Sequence, residues 1–292
     1  WGSRQARNDG RDPVGPGRLH GGREKFRGGA VSVPKFLNPD LTPDVNYGQL
    51  WGMNLAMITD KDRVKQTSTT TGNSDGKVVS LFFSSSYPDD FICSKVFVIN
   101  HNLKFGNGVG IYLEANLNGS PVTLTNIVRE DVTNANGSRD SIFTFDQTTI
   151  DSMDLEIIET EPANQQKSVA EVIVTSDQIS ISREMTNYEY RFREKSRDIN
   201  LGSGKYHRII RAQANGKADR YEANCQFRYI NQTELESLRT LYKTHSTFYF
   251  QPEPDTRPQD IFLCYMTNPW NVAYSSKDKN AGYTVNIQVK EV

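Results

Sequence analysis

The sequence predicts a mainly β protein: two antiparallel β-sandwich or barrel-like domains, one short helix in the second, and an extended N-terminal arm. Three observations predict it. From about residue 75, short apolar or alternating runs are broken by Gly, Asn, Asp and Ser at the spacing of short strands and tight turns. Although mean hydropathy is only −0.62, the 13 Tyr, 14 Phe and 3 Trp are too many for a disordered chain. No strand–helix–strand spacing occurs, which excludes the doubly wound and (β/α)-barrel architectures.

The first 35 residues stand apart. They hold eight Lys/Arg against three Asp/Glu, and eight of the first 30 are Gly. Such a stretch cannot build a core. It gains order only against a partner, because each fixed residue costs about 1–2 kcal/mol of entropy. The expected partner is the acidic surface of a neighbouring subunit, met by Arg4, Arg7, Arg11, Arg18, Arg23 and Arg27. No aromatic residue lies between Trp1 and Phe26 to stack on bases, so nucleic acid is not the expected partner. The chain opens on Trp1 and its first Met is Met53, as expected where an upstream part has been trimmed or left unnumbered, or where the start is unusual. No apolar stretch follows the basic residues, so a secretory signal is not expected. Nor is a membrane span, since no run of about 18 apolar residues occurs.

Residues 36–74, with Pro39, Pro43 and the polar run Thr67–Asn73, read as an extended connector. Within it Leu50-Trp51-Gly52-Met53 is an apolar patch suited to docking, with Trp51 as its anchor. The first β block, 75–160, has strand candidates at Val78–Phe83, Ser94–Asn100, Val109–Ala115, Val122–Val128, Ile142–Phe145 and Met153–Ile158. Asn118-Gly119 and Asn136-Gly137 are turn dipeptides, because both residue types accept positive φ. The polar, Pro-containing run Glu159–Lys167 marks a boundary.

The second block, 168–292, continues with Val169–Thr175, Ile179–Ser182, Tyr188–Phe192, His207–Ala214 and Glu222–Tyr229. Thr233-Glu-Leu-Glu236 fits a capping box, and Leu235, Leu238, Leu241 and Tyr242 then share one face of a helix over 233–243. Strands at Thr247–Gln251, Ile261–Met266 and Tyr283–Val289 follow, separated by the loops Pro252–Gln259 and 267–282.

Chemistry-bearing patterns are sparse. There is no nucleophile elbow, phosphate loop or zinc-helix motif. Gly106-Asn-Gly-Val-Gly110 leads into a strand, not a helix N-terminus, and reads as a flexible loop. His20, His101, His207 and His245 lie on separate elements, and Cys93, Cys225 and Cys264 are too far apart for a zinc pair or a disulfide framework. Buried free thiols and assembly in a reducing cytoplasm are expected. The paired carboxylates Asp89-Asp90 and Glu159/Glu161 are the one opening for a glycan hydrolase, and acidic pairs of this kind are common in loops. No catalytic centre, metal or cofactor is expected. Tyr188–Glu194 and Tyr206–Arg211 mix aromatic with basic residues, as strands do that pack one face and offer Arg to a neighbour. Trp270, in the loop 267–282, is a candidate contact residue.

A resemblance supplies a functional expectation. Val96-Phe-Val-Ile-Asn-His-Asn-Leu103, a small-residue loop and a second strand running into Ala115-Asn116 and Asn118-Gly119 resemble the galactose-binding-like β-sandwich of tailed-phage virion proteins. There, the resemblance implies, His101, Asn102 and Leu103 form a structural corner between sheets. The order His207–Ala214, Cys225–Tyr229, 233–241 and Phe248–Pro252 is similar to the strand, short-helix, aromatic-strand and Pro-rich-loop pattern of phage distal-tail and other tail-tube-derived proteins. It implies a structural component of a virion tail, baseplate or tail tip, assembled in the host cytoplasm with copies of itself and other virion proteins. The same sandwich serves carbohydrate-binding modules, so the alternative is a module that contacts a host-surface glycan.

Overall fold

The computed structural model describes residues 33–38, 44–47, 67–68, 77–82, 91–102, 110–134, 137–158, 168–194, 196–200, 206–210, 219–244, 247–277 and 281–292. In chain order the strands begin with β1 (Lys35–Leu37), β2 (Asp44–Tyr47), β3 (Thr67–Ser68), β4 (Lys77–Phe82), β5 (Phe91–His101), β6 (Gly110–Leu117) and β7 (Ser120–Val122). Next come β8 (Val128–Thr133), β9 (Arg139–Ile150), β10 (Ser152–Ile158), β11 (Ser168–Val169), β12 (Glu171–Thr175), β13 (Asp177–Ile179) and β14 (Met185–Glu194). The remainder are β15 (Ser196–Asn200), β16 (Tyr206–Ile210), β17 (Asp219–Ile230), helix α1 (Gln232–Lys243), β18 (Phe248–Gln251), β19 (Phe262–Met266), β20 (Asn271–Tyr274) and β21 (Tyr283–Glu291). The protein is mainly β with antiparallel sheets, as its sequence predicts.

Two sheets form the first sandwich. A five-stranded sheet runs β2-β4-β10-β6-β7 and a four-stranded sheet runs β12-β5-β9-β8. Between them lies a core that includes Val96 and Val98 of β5, Phe143 and Phe145 of β9, Ile111 and Ala115 of β6, and Met153 and Leu155 of β10. The β6–β7 hairpin closes through Asn118 (φ 53°) and Gly119 (φ 73°), a two-residue turn with both φ positive. That geometry is the reason for Asn-Gly. The expected strand Val122–Val128 divides instead. Asn126 takes φ 53°, while Thr125 Oγ1 and Asn126 Nδ2 both donate to Asp146 Oδ2 at 2.7 and 2.8 Å. These bonds tie down the crossing, and the chain passes from one sheet to the other.

An eight-stranded sheet, β13-β1-β18-β19-β21-β17-β14 with β20 on β21, carries the second core. Helix α1 covers it with Leu235, Leu238 and Leu241, all buried. The helix start differs from the expected one. Its N-cap is Asn231, not Thr233: Asn231 Oδ1 accepts from the Glu234 amide at 2.9 Å, and Glu234 Oε2 accepts from the Asn231 amide at 2.8 Å. Two overlapping boxes exist in the sequence, and tertiary contact selects the first. Glu234 is buried, and its Oε1 also accepts from the amide and hydroxyl of Ser182, each at 2.7 Å. Burial alone would raise this carboxyl, but those hydrogen bonds outweigh it and hold it below its ordinary value. Residues 271–274, expected in a loop, form β20, an edge strand paired with β21.

The divisions drawn from composition do not follow the strand pairing. Lys35–Leu37 is a strand of the large sheet, between β13 and β18, so the arm–connector boundary at residue 35/36 cuts through β1. Conversely β12 pairs with β5, so Glu171–Thr175 belongs to the first sandwich and the chain changes sheets at Ser176.

The first sandwich and the eight-stranded sheet share a third core: Leu37, Phe97, Ile99, Ile142, Ile173, Tyr249 and Ile261. Alternation explains it. On β5, Val96 and Val98 face the first core while Phe97 and Ile99 face the third. On β1, Phe36 faces the second core and Leu37 the third. Strands buried on both faces read as unbroken apolar runs, and Val96–Ile99 is one. Asp177 seals the margin, meeting Lys35 Nζ at 3.2 Å and Lys95 Nζ at 3.5 Å.

Leu37 is fully buried in the core shared by both halves, so Leu37→Ala should cost about 2–5 kcal/mol in urea unfolding. Its transition should also broaden or split, as the halves lose their common packing. Leu238→Asp buries an unpaired charge under the helix and should cost several kcal/mol, about 3 or more. It should release near-UV tyrosine signal from the second core before the first unfolds.

Candidate functional site

The predicted contact residues fall in two groups. Arg4, Arg7, Arg11, Arg18, Arg23, Arg27 and Trp51 lie outside the described residues, as do Leu103, His20, His245, Asp89-Asp90, Glu159/Glu161 and residues 106–109. Trp270, His101 and Asn102 are placed. Trp270 is half-buried at the margin of the second core, its ring 5.4 Å from that of Tyr242 on α1. It covers the helix flank with much of its surface.

His101 and Asn102 end β5 and form a corner. Asn102 and Ser168 clasp each other: the Ser168 amide donates to Asn102 Oδ1 at 2.8 Å, and the Asn102 amide donates to the Ser168 carbonyl at 3.2 Å. His101 is fully buried, its Nε2 2.9 Å from Ser141 Oγ. Ser141 Oγ donates to Asp131 Oδ1 at 2.7 Å, and Asp131 Oδ1 also accepts from Arg129 Nε at 2.9 Å. A hydroxyl has one proton, and Ser141 gives it to Asp131, so His101 Nε2–H is the donor to Ser141. That polarity is the reverse of a nucleophile–base pair, in which the imidazole accepts the serine proton. Ser141 is fully buried as well. The chain Arg129–Asp131–Ser141–His101 therefore ties β8, β9 and β5 together. Burial, reinforced by Arg129 and Arg139, lowers the His101 imidazole to about 4.

The thiols are placed in cores. Cys93, Cys225 and Cys264 are all buried and free, and burial pushes Cys93 up to about 12 and Cys225 higher. A protonated, enclosed thiol is a poor nucleophile and a poor metal ligand. Among the described residues no group of three or more His, Cys, Asp or Glu is placed to hold a metal ion. No helix among them is long and apolar enough to cross a membrane.

What the structure assembles is surface. On β14, Tyr188, Tyr190 and Phe192 share one face and run from the core outward, Tyr188 buried and Phe192 54% exposed. Tyr190 and Phe192 contact Tyr221, whose ring stacks on Phe262 at 4.0 Å. The Tyr188 and Tyr221 hydroxyls meet at 2.6 Å. On the opposite face Arg191 reaches Glu222 Oε2 through Nε and Nη2, at 2.9 and 2.7 Å. The segment is thus a strand with an aromatic face and an arginine face.

A second feature was hidden from sequence reasoning. β14 and β17 pair as far as Glu194↔Asp219. One residue later β15 and β16 pair with each other, from Ser196↔Ile210 to Asn200↔Tyr206, as a separate two-stranded sheet. This is a two-stranded ribbon, separate from the eight-stranded sheet. The available signal was the turn-like Gly202-Ser-Gly204 between two β-compatible runs.

Because His101 stays neutral in the folded protein down to about pH 4, the unfolded chain takes up a proton that the folded chain refuses. Stability should hold above about pH 6.5 and fall by up to about 3 kcal/mol between there and about pH 4. His101→Gln should flatten that part of the profile, measured by urea titration at several pH values.

Comparison with protein-family models, with characterised proteins and with solved structures finds no match, so the function is argued from the chain's own residues.

Proposed function

We propose that the protein is a structural component of a tailed-phage virion, in the tail, baseplate or tail tip. It assembles in the host cytoplasm with copies of itself and other virion proteins, and its function is carried by contact surfaces. The observation that carries this reading is the β15–β16 ribbon, a two-stranded sheet separate from the eight-stranded one. An isolated two-stranded ribbon is marginal in water and is stabilised by a neighbouring surface. The resemblance at Val96–Leu103 and at 233–252 supports the same reading. Exposed Arg191 and Phe192 on β14 add to it, since Phe and Arg are enriched at interfaces.

The carbohydrate-binding alternative has one observation in its favour. Tyr274 is 51% exposed and stacks on Tyr283 at 5.4 Å, leaving ring surface of the kind on which a sugar packs. Trp270 serves that reading less well, because it lies against Tyr242.

Native mass spectrometry and negative-stain electron microscopy of the full chain discriminate the two. A discrete ring or stacked oligomer is the expected result. A stable monomer that binds polysaccharide, and loses that binding in Tyr274→Ala, would overturn the virion reading in favour of the glycan module.

A further inference from the structure

The formal charge of −1 conceals a strong segregation. Residues 191–220, comprising the ribbon and the strand ends that lead into it, carry nine Lys/Arg against three Asp/Glu. Residues 75–175, the first sandwich, carry fourteen Asp/Glu against six Lys/Arg. One chain therefore holds a basic segment and an acidic one.

The register concentrates both charges. Across β14 and β17, Arg193 stands directly opposite Arg220 at the base of the ribbon, and Arg220 Nε is buried with no hydrogen-bond partner among the described residues. Across β6 and β10, Glu114 stands directly opposite Asp154. Ile111 and Ala115 of β6, with Met153 and Leu155 of β10, point into the first core. Alternation therefore puts Tyr112, Glu114 and Asp154 on the outer face of the five-stranded sheet. Tyr112 is 51% exposed and Glu114 is exposed. Like charges directly opposite across a strand pair are destabilising. Among the described residues neither Glu114 nor Asp154 meets a cation. A basic surface brought by a second molecule relieves the Glu114–Asp154 pair.

We propose that the basic ribbon β15–β16 of one copy, with Arg193, Arg197 and Arg220 at and near its base, docks on the acidic outer face of the five-stranded sheet of a second copy, around Tyr112, Glu114 and Asp154. This rests on the assembly reading above and names its surfaces. The contact joins two different patches, so it is heterologous and propagates into a ring or a filament, not a closed two-fold dimer. A nucleic-acid backbone would also attract the ribbon, but the acidic sandwich on the same chain repels it, whereas a second copy presents that sandwich as the complement.

The test uses the full chain in sedimentation velocity and native mass spectrometry at about 50 mM and about 500 mM salt. The wild type should assemble at low salt and associate ~10-fold or more weakly at high salt. R193E/R197E and E114K/D154K should each weaken low-salt association by ~10-fold or more, and the four changes combined should recover most of the loss. E114Q/D154N removes the like-charge pair without reversing it; it should melt no lower than the wild type and still associate ~3-fold or more weakly. Assembly that is unchanged in these variants overturns the ribbon contact and leaves the assembly reading intact. A wild type that is monomeric at every salt and concentration overturns both. Tighter binding of a labelled oligonucleotide than of a second copy, lost in R193E/R197E, reassigns the ribbon to nucleic acid.

Discussion

The packing of Leu37 against Phe97, Ile99, Ile142, Ile173, Tyr249 and Ile261 is the contact on which the rest of the structure depends. It joins a four-stranded sheet to an eight-stranded one, and both of those sheets already have a core on their other face. Burial of apolar surface stabilises by about 25 cal/mol per Å², and here a strand gains it twice, once per face. β1 shows the logic in its smallest form. Three residues long, it lies between β13 and β18, with Phe36 packed on Phe248 and Phe250 and Leu37 in the shared core. A piece of chain near the N-terminus thereby completes a sheet made mostly from the far C-terminal half. Such long-range pairing is slow to form, because loop closure precedes the contacts that reward it.

The buried polar groups are arranged around the same frame. Asp177 bridges Lys35 and Lys95 at the margin of the shared core, and Thr175 Oγ1 donates to the Asn38 carbonyl at 2.8 Å where the chain changes sheets. Glu234 fastens the helix start to Ser182, and the Arg129–Asp131–Ser141–His101 chain fastens three strands of the first sandwich. Each of these groups would cost free energy if left unpaired in the interior. The hydrogen bonds named here orient strands. The residue types that enzymes use for proton transfer and nucleophilic attack are present in the interior, but hydrogen bonds and burial hold the described ones in structural positions.

Contact chemistry lies outside the cores, and it is unevenly distributed. Basic residues gather on the ribbon segment and along residues 1–35, whereas acidic residues gather on the first sandwich. Separation of this kind is what steers encounter and sets orientation where complementary surfaces meet. Tyr112 on the acidic sheet and Phe192 near the start of the ribbon segment, each about half exposed, stand as apolar surface beside those charged regions.

Local pattern was enough for most strands. Asn118-Gly119 specifies its hairpin because few other residue pairs take two successive positive φ values. Tyr283–Glu291 is legible from alternation, and Leu235, Leu238 and Leu241 from helical spacing. Cys93 and Cys264 could be read as buried from their apolar neighbours, whereas Cys225, beside Asn224 and Gln226, could not. Other features have no local signature. Lys35–Leu37 is too short to carry a period, and its place between β13 and β18 depends on residues far along the chain. Two overlapping capping boxes are equivalent on paper until Ser182 engages Glu234. The reversal of the His101–Ser141 pair follows from Asp131, which sits on a different strand. The sequence by itself determined the antiparallel β class, the turns and the charge of each segment, because these depend on backbone preference and composition. Only the tertiary structure decided which strands share a sheet, which faces are buried twice and which charges stand opposite one another, because strand pairing is a long-range choice.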